Sequence, residues 1–251
     1  LELLEKPITG DLVEDRLQEL AQRYARAGGP IIQVLNLIGG QTDDLIKQLP
    51  EGFSDNLVAG TEQALRLAMK AAERSRGVIG DQPGWLTQAV STAAGAAGGF
   101  GGLGSALAEL PVTTTIFLHG IQSVAVEHGF DASETGVQFD CVQVFAASGP
   151  LEHDDGADLA FLTTRMVLTG PAMQALIARV APRLAAVLGQ KLAAQAVPLL
   201  GAAAGAATNY AYSSYYREMA HVHFGLRRLG IEADRDMDVL VKSLRQRLPS
   251  G

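Results

Sequence analysis

Glu109 stands alone. No Asp, Glu, Lys or Arg lies between Asp81 and Glu109, and none between Glu109 and Glu127. A carboxylate buried in such surroundings costs several kcal/mol unless it is paired, hydrogen-bonded or protonated. Three roles follow. Glu109 could be a general acid or base with a raised pKa. It could be a structural node with Lys191 and Asn209, which bracket a second uncharged stretch. Or it could be an exposed residue near the start of a helix capped by Ser105. His119 lies ten residues further on. If the segment is helical, it falls about 80° around the axis from Glu109, beside Thr115 and Gln122-Ser123. Glu109 and His119 are the catalytic candidates if there is a reaction, but their spacing fits a satisfied core histidine better than an acid–base pair.

Other reactive residues carry weaker signals. His221 and His223 flank Val222; on a helix they point to opposite sides, and only on a strand could they share a metal. Glu127-His128 and His153-Asp154-Asp155 have the composition of polar loops, and neither HExxH nor CxxC occurs, so no metal site is expected. Cys141, the single cysteine, sits in an apolar run and suits a buried thiol. It allows no intrachain disulfide, which fits a reducing cytoplasm. There is no Gly-x-Ser-x-Gly elbow. The run Gly98-Gly99-Phe100-Gly101-Gly102-Leu103-Gly104 lacks the Lys-Ser/Thr of a phosphate loop and the βαβ frame of a dinucleotide site. No cofactor is expected.

The elements that would position these residues are helices. Asp11 can cap a run with Leu12, Leu17, Leu20 and Tyr24 at helical spacing, stopped by Gly28-Gly29-Pro30. Similar patterns predict helices at 30–49 and 54–76, the latter with Leu57, Val58, Thr61, Leu65, Ala68, Met69 and Ala72 on one face. Further helices are predicted at 157–169, 171–188, 190–207 and 210–230, and an amphipathic one at 234–248 through Met237, Leu240, Val241, Leu244 and Leu248. Residues 133–148 are rich in β-branched side chains and leave helix or strand open; 151–156 suits an exposed loop. No linker composition interrupts the chain. The expected organisation is one domain over 1–251, with N-terminal helices at 1–55 packed on a core of 56–230 and a C-terminal helix over 231–251.

Charged residues make up 19% of the chain, below the roughly 25% of ordinary soluble domains. They are missing chiefly from the two stretches around Glu109 and from the one between Lys191 and Arg217. Each is long enough for a membrane span of about 20 residues. Polar residues dilute them: Gln88 and Thr92 in the first, Thr113-Thr114-Thr115 and His119 in the second, Gln195, Thr208 and Asn209 in the third. Buried helices are therefore expected rather than spans. The net charge of −7 and the lack of a basic stripe argue against nucleic acid as partner. The chain opens Leu-Glu-Leu-Leu-Glu-Lys, with neither Met nor the basic and apolar regions of a secretory signal, as expected of a chain whose native N-terminal segment lies upstream.

Glycine spacing distinguishes the apolar stretches. Gly95/Gly99, Gly98/Gly102 and Gly201/Gly205 are GxxxG registers, which on a helix leave a groove that lets a second helix approach closely. The expected fold class is all-α: a compact multi-helix bundle with two Gly/Ala-rich central helical hairpins. Gly98, Gly99 and Gly102 are candidate contacts with lipid or a partner. So are Tyr210, Tyr212, Tyr215 and Tyr216, four of the five tyrosines, since tyrosine suits an interface with one apolar and one wet side.

The ordered motifs resemble the EcsC family. They are the Gly-rich segment before Ala108-Glu109-Leu110-Pro111-Val112-Thr113-Thr114, then Ile121 to Gly129-Phe130-Asp131, then Leu188-Gly189-Gln190-Lys191 leading to Ala196-Val197-Pro198-Leu199-Leu200-Gly201-Ala202 and Asn209. They span about 60–230. The resemblance implies a bacterial helical protein whose namesake is encoded beside an ABC transporter. It supplies no reaction, but marks Glu109, Lys191 and Asn209. Relatives tend to carry Arg where this chain has His119, so no role transfers to that position. The function expected is a non-enzymatic, cytoplasmic helical accessory protein, peripheral to the membrane through lipid or a membrane protein such as a transporter. The alternatives are a hydrolase or lipid-modifying enzyme using Glu109 with a His, and a module that self-associates into a homo-oligomer.

Overall fold

The computed structural model describes residues 7–8, 10–27, 29, 53–75, 102–145, 147, 162, 170–195 and 201–248, without side chains at 53–54, 70–75, 102–110, 170, 183, 186–187, 190–195, 201–205 and 208. The predicted helices at 30–49 and 157–169, the loop at 151–156 and Gly95 to Gly101 fall outside the described residues, apart from Leu162.

Helix α1 (Asp11–Ala27) starts from Gly10, whose φ of +60° suits glycine and whose carbonyl accepts from the amides of Val13 and Glu14. Acidic residues in its first turn and Arg26 in its last match the helix dipole. Val13, Leu17, Leu20 and Ala21 are its buried face. Leu12, placed on that face by the sequence pattern, is instead 59% exposed: it lies about 100° round the axis from Val13, and Val13 holds the register with Leu17 and Leu20.

Helix α2 (Phe53–Ser75) buries Leu57, Thr61, Ala64, Leu65 and Ala68. It packs on α3 (Gly102–Glu127) and on α5 (Gly170–Gln195). The residues that the sequence leaves as helix or strand form α4 (Thr135–Val144). Val137, Phe139, Cys141, Val142, Gln143 and Val144 are all buried, because α3, α5 and the later helix α6 surround this element. A helix enclosed on most sides carries no 3.6-residue pattern to read.

The predicted breaks near 189 and 209 do not occur. Helix α5 runs through Gly189, where an added Cβ would meet Leu57 at 3.2 Å; that glycine serves close packing of α5 on α2 rather than termination. Helix α6 (Gly201–Ala233) continues past Asn209, whose side chain is fully buried. At 33 residues α6 is roughly 50 Å long and contacts α1, α3, α4, α5 and α7 (Met237–Arg245). It ends at Asp234, with φ 50°: Arg235 N–H reaches back to Gly230 O and Asp234 N–H to Ile231 O, the Schellman pattern. Asp236 then caps α7 by accepting from the Asp238 amide.

The described residues thus form an all-α bundle, with no strand among them. No described helix is long and apolar enough to cross a membrane. Directions follow from cross-helix pairs. Phe117 meets Tyr216, His128 meets His221 and Phe130 meets Phe224, so α3 and α6 run parallel. Leu20 lies against Gly225 and Arg23 against Glu218, so α1 is antiparallel to α6.

Candidate functional site

The residues singled out by the sequence are spread along the bundle. Glu109 and His119 sit on one helix, α3, ten residues and so about 15 Å of rise apart. The Glu109 and Lys191 side chains lie outside the described residues; Asn209 is buried on α6. His119 is half-buried. The hydroxyls near it bond back to their own helix, Thr115 to Pro111 O at 2.6 Å and Ser123 to His119 O at 2.9 Å, which satisfies these two groups locally. Tyr212, Tyr215 and Tyr216 are core residues, in ring contact with one another and with Phe117 and Phe145. Tyr210 alone of the four is exposed, at 39%. Gly98 and Gly99 lie outside the described residues, and Gly102 opens α3.

The chemistry gathers elsewhere, where α3 stops. Gly129 has φ +81°, its amide bonds to Val126 O at 2.8 Å, and the Phe130 amide bonds to Ala125 O at 3.0 Å. This Schellman end leaves Glu127 as the last residue of α3 and His128 just past it, both turned to α6. His221 of α6 meets them: Nδ1 of His221 is 3.1 Å from Nε2 of His128, and Nε2 of His221 is 3.7 Å from a Glu127 carboxylate oxygen. Ring centroids 5.4 Å apart set the imidazoles head to head, the arrangement of a shared N–H···N bond. Arg217 holds the same carboxylate through Nη2 at 2.9 Å, while its Nη1 is buried with no hydrogen-bond partner among the described residues.

In front of this row is a cleft of about 360 Å³ between α1, the end of α3 and α6. Its α1 wall carries Arg16, Glu19, Leu20 and Arg23; its α6 wall carries Gly225, Arg228, Leu229 and Glu232. Gly225 keeps it open, since a Cβ there would stand 2.6 Å from Leu20 Cδ2 and 3.3 Å from the His128 ring. Both charge signs line it. Arg228 pairs with Glu232 at 2.6 Å. Arg23 is held loosely, with Glu19 at 3.5 Å and Glu218 at 3.4 Å, beyond the 2.7–2.9 Å of strong charge-assisted bonds.

Burial is the first cause that lowers both imidazoles from the ordinary value of 6.5, followed for each by the Arg23 guanidinium. His128 is thereby lowered, although Glu127 and Glu19 oppose the shift. His221, which also faces His128 and Arg217, is pushed down to about 3. At neutral pH both rings are uncharged, so the contact between His221 and Glu127 is a neutral N–H facing a carboxylate rather than an ion pair.

His223 does turn the other way from His221. It faces Asp140 of α4 at 3.6 Å. Asp140 also pairs with Arg227, whose guanidinium lies 4.6 Å over the Phe130 ring. The two histidines serve opposite faces of α6, as helical spacing requires. No group of three or more His, Cys, Asp or Glu among the described residues could hold a metal ion. The sequence did not single out the Glu127–His221–His128 row. Its one local signal is Gly129 directly after Glu127-His128, a helix end, and nothing local ties that end to a residue 93 positions on.

Among known families, the model described as the EcsC protein family matches residues 81–229, more than half of the chain, from before α3 to the last turn of α6. Neither the curated proteins nor the solved structures contain a match to the chain.

Proposed function

The chain belongs to the EcsC protein family, and from that premise we propose that it is a helical accessory protein that works by binding rather than catalysis, resting one end of its bundle on a membrane surface. The observation that carries this is the parallel run of α3 and α6. It brings the starts of both helices, Gly102 and the Gly201/Gly205 register, to the same end. From Leu110 to Val126 and from Gly201 to Tyr216 neither helix has a charged residue. Glu109 is the single charge near the start of α3; Glu127, Arg217, Glu218, Arg227 and Arg228 collect toward the opposite end with the cleft. On this charge-poor half Val112 is 55% exposed and Tyr210 39%; tyrosine at that level suits a headgroup boundary. Since no described helix can span, the association proposed is peripheral.

Flotation with vesicles of neutral and of mixed neutral and anionic phospholipid tests the proposal. The protein is expected to float, and Val112→Glu with Tyr210→Glu, both at exposed positions, to return it to the soluble fraction with helicity unchanged. Protein that stays soluble with every vesicle sinks the lipid association; co-purification with a membrane protein in detergent would then favour that partner instead.

A further inference from the structure

The cleft at the charged end is a second feature, independent of how the opposite end is used. Its floor is a histidine with a defined tautomer. One hydrogen lies between Nε2 of His128 and Nδ1 of His221, 3.1 Å apart. If His221 supplied it, the bare Nε2 of His221 would face the Glu127 carboxylate at 3.7 Å, lone pair against anion. If His128 supplies it, the Nε2–H of His221 points at that carboxylate, which is the favourable sense. Glu127, itself fixed by Arg217, therefore selects the form in which His128 carries its hydrogen on Nε2 and leaves Nδ1 as a bare acceptor. Nδ1 of His128 makes no hydrogen bond among the described residues and is not sealed from solvent.

Arg23 lines the same cleft, with contacts to Glu19 and Glu218 at 3.4–3.5 Å that leave its donors short of strong bonds. Glu19 and the carbonyl end of α3 add negative potential beside it. A cleft of about 360 Å³ is at the small end of ligand pockets. It matches a molecule of amino-acid or dipeptide size that carries both charges. We infer that this cleft binds a small zwitterion, its carboxylate on the Arg23 guanidinium and its ammonium donating to Nδ1 of His128, with His221 as the positioning residue.

Ring-nitrogen NMR correlations on the full chain at neutral pH read this directly. The expected spectrum shows His128 protonated on Nε2 and bare on Nδ1. Glycylglycine, the probe, is expected to shift that Nδ1 signal but not the ring of His119, while sodium acetate or ethylammonium chloride shifts it less. Arg23→Gln should weaken the dipeptide about tenfold or more, the loss of a hydrogen bond to a charged group. His221→Phe should mix the His128 tautomers, and His221→Asn, whose Oδ1 can accept in place of Nδ1, should restore the Nε2–H form. A His128 protonated on Nδ1, or tautomers indifferent to His221→Phe, overturns the positioning role. An Nδ1 signal unmoved by glycylglycine in a folded protein overturns the zwitterion site. Neither outcome bears on flotation, so the two proposals fail separately.

Discussion

At the residue scale, the charged end of α6 is divided between two histidines with different work. His221 faces a carboxylate yet is neutral, because burial first, then the Arg23 guanidinium, His128 and the Arg217 guanidinium all disfavour its charged form. Its folded pKa, about 3, is below the 6.5 of an exposed imidazole, so between those values the unfolded chain binds the proton that the folded chain refuses. Stability from this site is complete above about pH 6.5 and is lost as the pH falls toward 3. Thermal melts of the parent and of His221→Asn across that range test it. The parent is expected to lose Tm faster on acidification, and the difference between the curves removes the carboxylates common to both. Parallel curves would mean that the ring is not held neutral by folding. On the other face, Asp140→Ala leaves Arg227 and His223 without their carboxylate; a loss of roughly 1.5–3 kcal/mol is expected from denaturant titration.

At the element scale, the site depends on how α3 ends and how close α1 comes to α6. Gly129→Ala puts a Cβ at φ +81°, which should cost about 1 kcal/mol and loosen the pair that follows from that turn. Gly225→Ala sets a Cβ 2.6 Å from Leu20 Cδ2 and should cost about 1–3 kcal/mol through overpacking. With Leu20→Ala in the same chain the two losses are expected to be less than additive, because the smaller side chain vacates that contact; strict additivity in a double-mutant cycle would argue against it. The same glycines show what local sequence conveys. Gly129 and Gly10 end or begin helices and are legible as such. Gly189 and Gly225 sit inside helices, where only the neighbours, Leu57 and Leu20, explain them.

At the scale of the whole molecule, the parallel run of α3 and α6 brings Glu127 and the charges of α6 from Arg217 onward together, while Glu109 stands alone toward the start of α3. The core between the two ends buries Cys141 completely on α4. Its thiol is expected to resist an aromatic disulfide reagent in the native protein and to react at the rate of global opening, rising with denaturant as the unfolded fraction rises. Fast labelling under native conditions would show that α4 opens by itself. The family match covers α3, α4 and α5 and all but the end of α6, yet Arg16, Glu19 and Arg23 of α1 lie outside it. The cleft is therefore completed by a part of the chain that the match does not include.

The helical class, most of the α1 and α2 faces and the opposite aim of His221 and His223 were legible in the sequence, because each depends on spacing within one helix. The charge-free stretches and the isolation of Glu109 were legible for the same reason. Reactive potential was sought at Glu109 and His119, where polar residues stand out against apolar neighbours; contrast along the chain is all that a sequence offers. The described structure instead brings Glu127, His128, His221 and Arg23 to one cleft, drawn from three helices. Their distances and the neutrality of the two rings depend on burial and on charges from distant parts of the chain. That is why only the tertiary structure decided where the cleft lies, whereas the sequence by itself determined that helices build it.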